Sequence, residues 1–384
     1  MKKVDVAIIG SGPAGAMAGK QIASYGYSVA LIEQKERIGK PVQCGEAITK
    51  YALDHVNLSI QQQWIKQSVK GVKILLPHNK HFYSTVPGFS INRAVFNQWL
   101  ADQAAKEGAD LFLQTMMKTI TKKNDSWIIE TNNEPFKARM LIGADGAIAK
   151  TAELLGLLQK KTYIKAFQYT FNKNDINFPV SDWLCMIMDE TYNGGYGWIF
   201  PRNDEYNVGV GSIYGKKEML HTLCKQYNFN KNLKTKKTGG LVPYHFHLSS
   251  RVTDRAIIIG DAAGLTNPVT GGGIHAALYS GQLAGKLISQ ALQSENDTIL
   301  KQYDTIINKS LFLHPIHRKT AEYFQQWTNS DWTFLGNVAH GLDMADLSLI
   351  KCVSIGLHYP QYLLRAKELL TIRKDMKINQ KYGW

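Results

Sequence analysis

Cysteine is scarce. Four stand in 384 residues, Cys44, Cys185, Cys224 and Cys352, with no C-x-x-C pair and no metal-like spacing. That excludes a disulfide scaffold, a dithiol redox pair and a zinc module. Long apolar runs are missing too. The longest stretch without a charged residue, Ala262 to Gly285, is broken by glycines and Pro268 and cannot form a transmembrane helix. No Lys/Arg-led apolar segment opens the chain, so no secretory leader is expected, and the expected place is the cytoplasm with reduced thiols. Acidic residues are in deficit: 31 Asp+Glu against 45 Lys+Arg leave a net charge of +14. Such a surplus favours phosphate groups, an acidic lipid surface or nucleic acid. The basic residues are dispersed and no nucleic-acid motif accompanies them, so nucleic acid is set aside. There is no internal repeat and no second G-x-G-x-x-G within a βαβ unit, which excludes a two-nucleotide-domain reductase of the disulfide type.

What is present begins at the N-terminus. Val4–Ile9 is a short apolar run of strand type that enters Gly10-Ser11-Gly12-Pro13-Ala14-Gly15; Ala16 to Tyr25 has helical character, and Ser28–Ile32 is a second strand ending on Glu33. This is a βαβ unit holding G-x-G-x-x-G in the context that gives the motif its meaning. Gly10 permits a tight turn, Gly12 lets backbone approach a pyrophosphate, and Gly15 lets helix and strand pack closely. The helix start offers free N–H groups and partial positive charge to phosphates. Glu33, at about the twenty-residue spacing expected, is placed to accept ribose hydroxyls.

An echo lies downstream. The apolar strand Ala256–Ile259 ends in Gly260-Asp261, and Gly271-Gly272-Gly273 opens a helix over Ile274 to Leu292. Together with the N-terminal unit this resembles the FAD-binding signature of the flavoprotein hydroxylase and reductase superfamily. The resemblance implies that Asp261 holds the ribityl chain and that the helix after the glycines points at the N1/C2 edge of the flavin, where a positive helix end stabilises the anionic reduced ring. Ile91-Asn92-Arg93 and Gly143-Ala144-Asp145-Gly146 fit the same superfamily, with Arg93 near the cofactor phosphates or adenine. The usual Ser-x-x-Arg continuation is here Ala147-Ile148-Ala149-Lys150, a departure at the side where NAD(P)H would dock.

Two stretches narrow the family: Pro41-Val42-Gln43-Cys44-Gly45-Glu46, and Tyr196-Gly197-Trp198-Ile199-Phe200-Pro201-Arg202 followed by Val208-Gly209-Val210-Gly211. With the FAD signatures they resemble the geranylgeranyl reductase family over roughly residues 1 to 300. The resemblance implies a flavoenzyme that saturates isolated C=C bonds of a polyprenyl chain on a lipid or diphosphate. Hydride would come from reduced flavin N5, and the electron donor, NAD(P)H, a ferredoxin or another carrier, would dock transiently. Tyr196, Trp198 and Phe200 alternate, so on a strand they share one face, able to wall an isoprenoid slot or to form core. Arg202 stands where the family has Lys and is a candidate for the head group. Cys44, to donate a proton or stabilise, and Glu46, to orient Cys44 or relay a proton, are the candidates at the flavin, with His275 a weaker donor. Two other readings share the fold: an aromatic-ring monooxygenase, against which these two stretches argue, and a membrane-associated flavoprotein serving a quinone.

The expected architecture is α/β plus α+β. A Rossmann-like FAD domain (1–68, 88–155, 250–300) carries an inserted antiparallel-sheet substrate domain (69–87, 156–249), signalled by the alternation of Tyr163, Phe167, Tyr169 and Phe171. Residues 51–68 have helical character; a further helix to about Glu107 has its N-cap at Ser90 or Asn92. Residues 301–384 form a helical C-terminal region. There Leu363, Leu364, Leu369, Leu370, Ile372, Met376 and Ile378 interleave with Arg365, Lys367, Arg373, Lys374, Lys377 and Lys381. This basic amphipathic pattern serves packing on its own domain or contact with a membrane surface.

Overall fold

The strand Lys2–Ile9 is buried from Val6 onward because parallel strands flank it on both sides: Val29–Ile32 on one and Phe136–Gly143 on the other. Asp110–Phe112 and Ala256–Ile258 extend the parallel core outward. Alternate residues feed alternate faces. Val6, Ile8 and Leu31 pack under the helices Pro13–Ala23 and Ile274–Ser294, whereas Ala7, Ile9 and Ile32 pack under Trp127 and Ile129 of a β-hairpin. In this computed structural model, which describes residues 1–179, 181–344 and 365–382, that sheet has eight strands, and so has a second one. Cys352, Leu363 and Leu364 lie outside the described residues, as does the side chain of Lys381.

The parallel order places Lys2–Ile9 at a topological switch point. Its C-terminal end, with those of its neighbours, brings Gly10, Glu33, Ala144 and Asp261 to one edge of the sheet, where ligands of open α/β sheets bind. Gly15 makes the glycine turn possible: a Cβ there would lie 2.0 Å from the Gly10 carbonyl oxygen.

The second sheet runs in the order Lys234–Leu248, Leu158–Asn172, Glu205–Ser212, Gly195–Arg202, Trp183–Ile187, Ile65–Leu76, Lys80–Ile91, Ala47–Thr49. All pairings are antiparallel except that of Trp183–Ile187 with Ile65–Leu76. One face of its centre carries Trp198 and Phe200, the other Ile199, Val208 and Val210. Trp198 pairs with Gly209, and its indole lies across that glycine; Tyr196 pairs likewise with Gly211. The aromatic segment and Val-Gly-x-Gly are thus one structure, a bulky strand and the neighbour that makes room for it.

The helix expected over 51–68 is only Lys50–His55. Asn57 adopts φ +54°, and the N–H groups of Asn57 and Leu58 return to the carbonyls of Asp54 and Leu53, a Schellman stop. The strand Ile65–Leu76 then starts inside the expected helix. Asn92 resolves the open cap: its Oδ1 accepts the Val95 N–H at 3.3 Å, while the Ser90 hydroxyl donates to the Pro201 carbonyl. After residue 300 come the helices Lys301–Lys309, Pro315–Gln326, Asn329–Ala339 and Ala366–Tyr382. In the last, Leu369, Ile372 and Met376 pack on the core around Trp327 and Trp332, and Leu370 stays outside. No helix among the described residues is long and apolar enough to cross a membrane.

Gly209→Ala tests the strand pairing. The new Cβ would meet the Trp198 ring at 2.1 Å, and overpacking of this kind costs about 1–3 kcal/mol. The expected drop in the chemical-denaturation midpoint shrinks in a Trp198→Leu background; equal losses in both backgrounds would show no coupling.

Candidate functional site

A cavity separates the ligand edge of the first sheet from the aromatic face of the second. It holds about 1330 Å³ of empty space with its open mouth included. Gly12, Ala14, Asp261, Gly271 and Gly273 line one side; Tyr196, Trp198 and Phe200 line the other; Cys44, Gly45 and Arg93 stand between them.

The first side is built for an anionic group. Two helices start on it, Pro13–Ala23 with Gly12 as N-cap and Ile274–Ser294 with Gly273 as N-cap, and neither first turn has a side-chain cap. Both therefore present free N–H groups and the positive end of the helix dipole. A Cβ at Gly12 would meet nothing within 4 Å, so this part of the backbone faces open space. Arg93 opens the helix Arg93–Lys106, lines the cavity, and keeps its Nε buried without a partner. An orphaned guanidinium nitrogen is costly unless something binds it, and a phosphate satisfies it. Asp261 receives the Thr266 hydroxyl at 2.8 Å on Oδ1. Burial pushes its carboxyl up, against the pull of that hydrogen bond and of Arg93. Gly10 and Gly15 shape the turn behind Gly12, and Glu33 braces it: Oε2 accepts the Ser11 N–H at 3.1 Å and its hydroxyl at 3.0 Å. The loop with Gly271-Gly272-Gly273 is organised by Asn267. Its Oδ1 accepts the Val269 and Thr270 N–H groups, its N–H donates to the Gly272 carbonyl, and its Nδ2 donates to Asn379 Oδ1 at 2.8 Å. This donor set fits a flavin dinucleotide.

The opposite wall is apolar. Tyr196, Trp198 and Phe200 follow one another at ring separations of 5.9 and 6.4 Å. Trp198 Nε1 donates to Gln168 Oε1, and the Tyr196 hydroxyl donates to the Thr270 carbonyl, tying the aromatic strand to the glycine loop. Burial pushes the Tyr196 phenol far up, so it stays neutral. Gly45 lies against the Phe200 ring. Gln43 Nε2 donates to the Gly239 carbonyl at 2.9 Å, so the segment before Cys44 rests on the edge strand Lys234–Leu248 at the rim.

Cys44 reaches the cavity; Glu46 does not. The Cys44 sulfur accepts the Glu46 N–H at 3.2 Å. Burial pushes its thiol up, with the Glu46 and Asp261 charges adding and Arg93 opposing. It therefore carries its proton at neutral pH. Glu46, expected to orient Cys44 or relay a proton, and Arg202, expected at a head group, hold each other. The pair is buried, with Arg202 Nη1 at 2.9 Å from Glu46 Oε2 and Nη2 at 3.2 Å from Oε1. Asn207 Nδ2 and the Arg93 N–H complete the carboxylate, and the same two guanidinium nitrogens also donate to Glu205 (Nη1) and to the Ile91 carbonyl (Nη2). Neither side chain lines the cavity. His275 also turns away, its Nε2 at 2.8 Å from His55 Nδ1. Sequence reading missed Gln168, Asn207, Asn267 and Asn379, because single amides carry no motif and their partners Trp198, Glu46 and, for Asn267 and Asn379, each other lie distant in sequence; the turn that Asn267 caps at Val269 and Thr270 is local.

A family model described as pyridine nucleotide-disulphide oxidoreductase matches residues 7–176. A digeranylgeranylglycerophospholipid reductase of Methanocaldococcus jannaschii is 31% identical over 327 residues, covering 78% of this chain and 81% of that one. A reductase of the same name from Methanopyrus kandleri is 28% identical over 97% of this chain and 99% of its own. A solved geranylgeranyl bacteriochlorophyll reductase-like structure from Thermoplasma acidophilum superposes with a TM-score of 0.84 at 25% identity, covering 96% of this chain and all of that one.

Glu46→Gln and Arg202→Met each leave a buried partner uncompensated. Each is expected to cost about 3–5 kcal/mol in chemical denaturation, while the double variant costs less than the sum. Additive losses would show that the two do not form one unit.

Proposed function

The chain belongs to the geranylgeranyl reductase family and is an FAD-dependent oxidoreductase, and on that premise we propose that it saturates isolated double bonds of geranylgeranyl chains on a glycerophospholipid. Its relatives carry the name of that reaction. The observation that supports the reading most is the pairing of two unlike walls: bare helix ends with Arg93 and Asp261 on one side, a row of three aromatic rings on the other.

FAD, when bound, supplies the hydride equivalent from its reduced ring. Arg93 and the N-terminus of Pro13–Ala23 would hold its phosphates, Glu33 the adenosine ribose, Asp261 the ribityl hydroxyls, and the Gly271–Gly273 turn with the helix behind it the pyrimidine edge. Tyr196, Trp198 and Phe200 would hold the hydrocarbon tail in the cavity and keep water out. An unactivated alkene develops no oxyanion, so alignment and a proton at the second carbon are what the protein contributes. Cys44 holds that proton: its thiol reaches the cavity and stays protonated at neutral pH. Glu46 acts through position, fixing Cys44 by its N–H and Arg93 by its carboxylate. The tail enters at the rim where Gln43 meets Gly239 and Gly240, which line the cavity.

The test is to incubate the reduced protein with a digeranylgeranyl glycerophospholipid and weigh the product, expecting a gain of two hydrogens per double bond; an unreduced lipid with fully reduced flavin rules the reading out. Cys44→Ala is expected to retain flavin and slow alkene reduction about 100-fold or more; unchanged turnover removes Cys44 from the mechanism. A raised thiol pKa means that thiolate appears only at higher pH. Alkylation of Cys44 by iodoacetamide, followed in a Cys352→Ser background, should therefore stay slow through neutral pH and accelerate only above the ordinary thiol range. The other two described cysteines, Cys185 and Cys224, remain silent because they are buried away from the reagent, whereas Cys44 is only partly covered.

A further inference from the structure

A second concavity shares no residue with the flavin cavity. It lies between the first turns of the Pro315–Gln326 helix and one face of the Ala366–Tyr382 helix, and encloses about 910 Å³ including its open side. Lys319 comes from the first helix; Lys367, Leu370 and Lys374 come from the second, where their spacing of three and four places them on one face. All four are exposed. Among the described residues none of the three ammonium groups has an acidic partner, because the neighbouring acids are committed elsewhere. Glu322 pairs with Arg318, Glu368 receives the Trp327 indole N–H and lies near Arg365, and Asp375 is turned inward onto His317. His314, also in the lining, is held neutral by burial and by the nearby His317 and Lys374. The groove is therefore a focus of uncompensated lysine charge around an exposed leucine.

We propose that this groove seats the phosphate-bearing head group of an anionic membrane lipid and docks the protein on a bilayer surface. Lysines are strongly hydrated point charges on flexible stems, suited to mobile phosphates rather than to a fixed bidentate partner. Leu370, 46% exposed between Lys367 and Lys374, is placed to enter the boundary beneath those phosphates, as the apolar face of an interfacial helix does. Among the described residues no Phe, Tyr or Trp lines the groove, which disfavours stacking on a nucleic acid base. The opposite side of the same helix carries Asp375 and Asn379, and Asn379 holds Asn267 of the flavin loop. One helix thus presents lysines outward and the cofactor loop's support inward.

The proposal is tested with the full-length flavin-loaded protein in co-sedimentation with phosphatidylcholine vesicles that contain or lack phosphatidylglycerol. Binding is expected only with phosphatidylglycerol. Neutralising the groove as Lys319→Gln/Lys367→Gln/Lys374→Gln should weaken it about 100-fold, at roughly fivefold per lysine near an anionic surface. Leu370→Ser should weaken it about tenfold. A control with the same loss of charge, Lys106→Gln/Lys118→Gln/Lys123→Gln, should stay within about twofold, and the flavin spectrum confirms folding of each variant. Equal loss in both triple variants would reduce the effect to net charge and overturn the proposal. So would equal binding to both vesicle types, or protection of the groove lysines from acetylation by inorganic phosphate but not by phosphatidylglycerol vesicles. None of these readouts needs turnover, so they fail independently of the reductase reading.

Discussion

A carboxylate deep in a protein must find partners for all its charge, and Glu46 finds them in three parts of the chain. Arg202 comes from the aromatic strand of the second sheet, Asn207 from the strand beside it, and the Arg93 N–H from the start of a helix beside the first sheet. Desolvating two charges is repaid only when the geometry is complete, so these elements cannot shift separately. The glutamate's own N–H holds the Cys44 sulfur. The relative placement of thiol, Arg93 and aromatic wall thus follows from one buried ion pair.

Around that pair the cavity separates two chemistries that would otherwise compete. Helix ends, Arg93 and the buried carboxyl of Asp261 gather on one side, with the rings of Tyr196, Trp198 and Phe200 on the other. The span from Tyr196 to Phe200 along a strand is roughly 13 Å, enough to hold an extended hydrocarbon without a polar group on it. One polar link across, the Tyr196 hydroxyl on the Thr270 carbonyl, is a neutral donor with a dedicated acceptor. It fixes the wall to the glycine loop without putting a free polar group beside the slot.

Much of this was legible in the sequence because it rests on local rules. The glycine fingerprint needs close backbone approach, which only Gly10, Gly12 and Gly15 in that order permit, and alternation on a strand puts every second aromatic on one face. The echo at Gly260-Asp261 and the triple glycine could be read for the same reason. The end of the Lys50–His55 helix was also written locally, in Asn57, but the surrounding run of helix-compatible residues masked it.

What escaped was pairing over distance. Glu46 and Arg202 each look functional alone: an acid beside a cysteine, and a base after an aromatic motif. Only the fold shows that they spend their charges on each other. The same logic explains why the amides were invisible. Asn379 supports the triple-glycine loop through Asn267, 112 positions earlier, and nothing local in either residue announces that pairing. Polar side chains whose task is to hold another side chain are specified by three-dimensional coincidence, whereas those that meet a cofactor's phosphates are specified by the backbone turn that carries them. A motif therefore marks where a ligand is gripped. It does not say which nearby charges face that ligand and which are consumed in keeping the grip rigid.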